Sequence, residues 1–100
     1  MNSEMREQWL GGRTPRIPTL FLPYLLGREG GTFSGPDQLE ADGAEAILRA
    51  LKLPGRNRTA AFDLLAGDAL LTYACEAMTE EADPRGGLEL LLRRLGGRFR

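Results

Sequence analysis

The chain has 100 residues, 42% of them hydrophobic and 27% charged, and a formal net charge of −1. That length allows one domain with a modest core, and the balance of apolar and charged residues excludes a chain disordered throughout. A net charge so close to zero offers no overall attraction to nucleic acid or to an anionic membrane surface.

The choice of apolar residues narrows the fold. Valine is absent, the only isoleucines are Ile17 and Ile47, and leucine and alanine supply most of the apolar mass. Leucine and alanine lose little on entering a helix, whereas β-branched residues favour strands, so the predicted fold class is all-α. Cys75 is the sole cysteine, which excludes an intramolecular disulfide and a cysteine-based metal site within one chain. Histidine is missing, and with it the commonest general base and metal ligand. Catalysis would have to run on carboxylates, arginine, tyrosine or the single lysine, Lys52, and neither a cofactor nor a metal is expected. The N-terminus lacks a basic stretch followed by an apolar run, and no apolar stretch approaches the ~20 residues that span a bilayer. A cytoplasmic location is the expectation.

In chain order, Ser3–Leu10 reads as two helical turns, capped by Asn2 or Ser3 and ended by Gly11, with Met5 and Trp9 on one face. So short a helix is marginal in water and needs a surface for Trp9. From Arg13 to Gly27, Pro15, Pro18 and Pro23 exclude a long helix or a central strand. Yet the segment carries Ile17, Leu20, Phe21, Leu22, Tyr24, Leu25 and Leu26, and Pro23 suits the first residue of a short helical turn ending at Gly27. Residues from Gly30 to Asp37 read as a loop. Asp42-Gly-Ala-Glu45 is a capping-box pattern that predicts a helix over 42–52, stopped by Pro54-Gly55. A start near Pro36 is the alternative, which would put Gly43 inside the helix at a cost of about 1 kcal/mol. The longest predicted helix covers 58–78, with Asn57 or Thr59 as cap, and is apolar around most of its circumference, the mark of a buried central helix. Asp83-Pro84 starts the last helix, over 84–95, where Leu88, Leu91, Leu92 and Leu95 follow helical spacing and Gly96 is placed to close it. Three main helices thus form the predicted bundle over residues 37–100. A short helix and a Pro/Gly-rich apolar arm occupy residues 1–36, within one domain overall.

Several groups of residues bear on chemistry. Asp63 and Asp68 flank Gly67, but residues five apart do not share a helix face, and solvated or arginine-paired carboxylates are the plainer reading. Arg56, Asn57, Arg58 and Thr59 precede a helix, where two arginines and free backbone N–H groups suit a phosphate; the plainer reading is a helix cap with exposed arginines. The glycine spacing and lysine of a P-loop are missing. Arg93, Arg94, Arg98 and Arg100, with Phe99 among them, make a basic end suited to nucleic-acid phosphate or an acidic partner. No basic face extends elsewhere, which favours a solvated helix end. Cys75 reads as a small buried apolar residue.

Leu65-Ala-Gly-Asp-Ala-Leu-Leu-Thr72 resembles the helix that follows the first aspartate-rich motif of polyprenyl diphosphate synthases. Gly55-Arg-Asn-Arg-Thr59 and Ala61-Phe62 stand loosely where that family has a Gly-x-Pro-Thr turn and the helix start, so the likeness covers residues 55–78 at most. The family's Asp-Asp-x-x-Asp motif, which carries magnesium and the allylic diphosphate, has no counterpart: Ala46–Leu53 contains no carboxylate. The second aspartate-rich motif is also missing, and no metal or substrate residue carries over. What the resemblance implies is at most a relic of that fold; a separate alternative is an enzyme or ligand binder of diphosphate type that uses Arg56, Arg58, Asp63 and Asp68.

The expected function is therefore non-catalytic: a small helical interaction or accessory subunit that binds a protein partner or itself. The arm is more apolar than a free loop needs to be. Phe21, Leu22, Tyr24 and Leu25, with Trp9 beside them, are the predicted contacts, because aromatic anchors dominate interface energetics. The same residues covering the chain's own core is the equal alternative.

Overall fold

A computed structural model describes residues 3–13, 16–26, 35–55 and 57–99. Five helices and no strand occur among the described residues: α1 (Ser3–Gly11), α2 (Leu22–Leu26), α3 (Pro36–Lys52), α4 (Arg58–Met78) and α5 (Pro84–Arg98). The fold is all-α, as the residue choice predicts. No helix is long and apolar enough to cross a membrane.

Helices α3 and α4 form an antiparallel hairpin whose interface is the most extensive in the molecule. Small residues set its closeness. A side-chain carbon added at Gly67 would meet the Gly43 carbonyl oxygen at 2.8 Å, and one at Gly43 would meet the Gly67 carbonyl oxygen at 3.1 Å. The two helices therefore approach backbone to backbone, which only glycine permits there. Every helix adds to one core: Leu10 from α1, Leu25 from α2, Leu39 from α3, Ala66, Leu70 and Ala74 from α4, and Leu91 from α5 are all at most 1% exposed.

Helix α4 begins and ends where the sequence places it. The Asn57 side chain accepts the Ala60 N–H at 3.1 Å, so Asn57 rather than Thr59 is the cap. Helix α5 likewise starts on Asp83, whose carboxylate accepts the Gly86 N–H at 3.2 Å, with Pro84 in the first turn.

Three expectations are corrected. The third helix starts at Pro36, not at 42. Gly35 turns the chain into it with φ 95°, proline is preset for a first turn, and Asp37 favours the positive helix end. The capping box is accordingly not used: Asp42 lies within the helix and bonds Gln38 at 3.0 Å and Arg6 at 2.7 Å, while Glu45 pairs with Arg49 at 3.1 Å. The helical cost of Gly43 is offset by the close approach of α4. Second, α5 runs through Gly96 and Gly97 to Arg98 instead of closing at 95. Arg98 grips Glu40 of α3 with its Nε at 2.6 Å and Nη2 at 3.1 Å, and that hold keeps the last turn helical. Third, α4 is not covered all round. It is buried on one side only, along Asp63, Ala66, Gly67, Leu70, Ala74, Ala77 and Met78. Asn2, Gly27, residues 30–34, Arg56 and Arg100, and the side chains of Ser3 and Met5, lie outside the description.

Candidate interaction surface

The apolar arm packs largely on its own bundle. Leu25 is fully buried, and its carbonyl accepts a hydrogen bond from Arg6 Nη1 at 3.2 Å. Phe21 and Leu22 are half-buried against the core. Trp9, also half-buried, meets Tyr73 edge to face at 6.0 Å and carries the Arg13 guanidinium 3.9 Å from its ring centre. Arg13 is in turn held by Glu76 at 3.1 Å and Glu80 at 3.5 Å. Burial and the nearby Glu76 push the Tyr73 phenol above its ordinary pKa of 10.0, against a smaller lowering by Arg13. Of the five predicted contacts, Tyr24 alone is exposed; it stacks on Phe62 of α4 at 5.1 Å, and Leu20, four residues earlier, is 90% exposed.

A second exposed surface, with apolar residues set among polar ones, lies on the outer side of α4. At 100° per residue, Arg58, Ala61, Leu65, Asp68 and Thr72 fall on one stripe diametrically opposite the buried face, and all five are exposed. Leu64 flanks the stripe on one side and Phe62, under Tyr24, on the other. Leu64 also lines an open groove of about 580 Å³ together with Ala50, Leu51, Gly55, Arg58 and Ala61. Leu51, Leu64 and Leu65 are 68%, 50% and 58% exposed. Sequence reasoning missed Leu64 and Leu65 because a helix apolar nearly all round was expected to be covered all round; Leu51, near the end of α3, was given no role. The only hint was indirect: the helices available to cover a 21-residue helix are shorter than it is.

The predicted anion site is divided. The Asn57 side chain is engaged as the helix cap, Arg58 and Thr59 are exposed, and Arg56 lies outside the described residues. Asp63 and Asp68 point about 140° apart around α4. Asp63 is buried towards α3, 3.5 Å from Arg49, and Asp68 faces outward. Helix α4 therefore does not bring Arg58, Asp63 and Asp68 together. In the basic C-terminus, Arg94 pairs with Asp37 at 2.6 Å and Arg98 with Glu40, leaving Arg93 exposed on the surface. The hydrogen bond that Arg98 donates to Glu40 raises its pKa above the ordinary value. Cys75 is half-buried. Among the described residues, no three cysteine, aspartate or glutamate side chains converge on a position that could hold a metal ion.

No protein family, curated protein or solved structure matches this chain.

Proposed function

We propose that this chain is a small, non-catalytic interaction or accessory protein of the cytoplasm, which binds a protein surface through the outer face of α4. One observation supports the reading: Leu64 and Leu65 on the outer side of α4, with Ala61, and Leu51 near the end of α3, which shares a groove with Leu64, are exposed apolar residues. Each leucine wholly removed from water contributes about 1.5–3 kcal/mol, so a protein that leaves three of them half or more exposed forgoes stability that a partner would recover. Tyr24, which the arm places at the flank on Phe62, extends the same face with an aromatic residue. The contact is thus assigned to α4 with the arm at its edge, rather than to the arm alone.

A photo-reactive amino acid at position 65, introduced into the full chain in its native cells, tests this assignment. The expected outcome is a discrete adduct of defined mass. The same group at Arg85, which is 93% exposed on a polar part of α5, serves as the control and should give none. If position 65 yields no more adduct than position 85, the outer face of α4 is not an interface.

A further inference from the structure

We infer that the occupant of this face is a second copy of the chain, packed antiparallel through α4 about a two-fold axis at the level of residue 63. The inference rests on the interaction reading above and goes beyond it by naming the partner and the register. The charges on the stripe carry it. Among the described residues, Asp68 is the one aspartate whose carboxylate takes neither an ion pair nor a hydrogen bond: Asp37, Asp42 and Asp63 are paired with arginines, and Asp83 caps α5. Arg58, ten residues earlier on the same outward stripe, likewise makes no ion pair among them. Between the two lie only Ala61 and Leu65 on that stripe.

An antiparallel pair centred at residue 63 sets Arg58 opposite the second copy's Asp68 and Ala61 opposite its Leu65. The two-fold axis then repeats both contacts, as in any isologous interface. Each leucine drops onto a small residue, which lets the helices approach to the usual distance of about 8–10 Å. A parallel pair would place Arg58 on Arg58 and Asp68 on Asp68, so like charges oppose it. Leu64 and Leu51 on one flank widen the contact. The stripe from 58 to 72 is only about 22 Å long, and a contact of that length falls short of the roughly 1,600 Å² of a standard stable interface. The dimer is accordingly concentration-dependent and exchanges rather than being permanent.

Sedimentation equilibrium on the full chain, from about 10 µM to about 1 mM, covers weak association of this kind. The wild type is expected to dimerise, and less at high salt. Arg58→Asp and Asp68→Arg each place like charges together twice, and each should weaken the dimer about tenfold or more. The double swap restores opposite charges and should recover most of the loss, since coupled residues fail additivity. Both positions are exposed, and a circular-dichroism melt confirms that each variant is folded. A monomer across the whole range overturns the inference. So does a dimer whose single swaps are without effect or are not rescued by the double swap. A monomer that still gives an adduct to a different protein from position 65 overturns the second copy while the interaction reading stands. A monomer with no adduct overturns both.

Discussion

Tyr73 shows how one side chain ties α1 to α4. Its ring receives Trp9 edge-on, and burial together with Glu76 holds its phenol above the ordinary pKa of 10.0. A group whose pKa is raised by folding binds its proton more tightly in the native state. Its contribution to stability is therefore complete below the unfolded value of 10.0 and is lost as pH rises through the higher folded value. The melting temperature of the wild type should fall more steeply between about pH 9 and about pH 11 than that of Tyr73→Phe, which has no proton to lose there. Parallel thermal melts of the two proteins across that range provide the check, and identical slopes would refute it.

At the scale of elements, the glycines of α3, α4 and α5 serve opposite ends. Gly43 and Gly67 lie where α3 and α4 cross, and a methyl group at Gly67 would run into the Gly43 carbonyl oxygen and the Ile47 side chain. Alanine is intrinsically about 1 kcal/mol better than glycine in a helix. Overpacking at a backbone contact costs more, so Gly67→Ala should destabilise by about 1–2 kcal/mol net. Gly96 and Gly97 are helical, and an added carbon at either would meet nothing within 4 Å. Gly96→Ala should stabilise by about 0.5–1 kcal/mol. Urea titrations of both variants test the contrast in sign, which helix propensity alone does not predict. That Gly67 is small enough to let another helix approach is plain from its type. That it would meet Gly43 of α3 was not, because that depends on how two segments cross.

For the whole molecule, the first two turns of α3 act as the anchor. Asp37, Glu40 and Asp42 hold Arg94, Arg98 and Arg6 respectively, so both terminal helices are tied to a stretch of seven residues at one end of the hairpin. α4 is held to α3 chiefly by apolar close packing, with the Arg49–Asp63 pair beside it. Glu40 is fully buried, and Arg98 is its partner from 58 residues away. Arg98→Ala leaves that carboxylate without its cation. Because Arg98 is 39% exposed, water can reach the vacated position. The expected loss is therefore about 1–3 kcal/mol, below that of a pair sealed from solvent. Helix α5 buries Leu91 alone and should loosen first. Hydrogen exchange of the variant should show lost protection across α5 with the hairpin's retained. Uniform loss over both would show instead that α5 and the hairpin open as one unit.

The sequence by itself determined the fold class, the extent of α4 and the cap at Asp83, and narrowed the α4 cap to Asn57 or Thr59. These depend on which residue types follow one another: leucine and alanine without valine, and a capping side chain three residues before the N–H it accepts. It also marked Trp9, Phe21, Leu22, Tyr24 and Leu25 as residues that had to find cover, without saying whose. Tertiary structure decided the rest. It put Leu25 in the core and left Tyr24 at the rim, because only the folded chain shows which side of α2 meets α4. It drew α3 back to Pro36 and carried α5 on to Arg98, because the charges at those ends meet across space and repay the helical turns that present them. It also uncovered Leu51, Leu64 and Leu65. Hydrophobic periodicity reports which faces would gain from burial, but the number of helices within reach settles which faces obtain it.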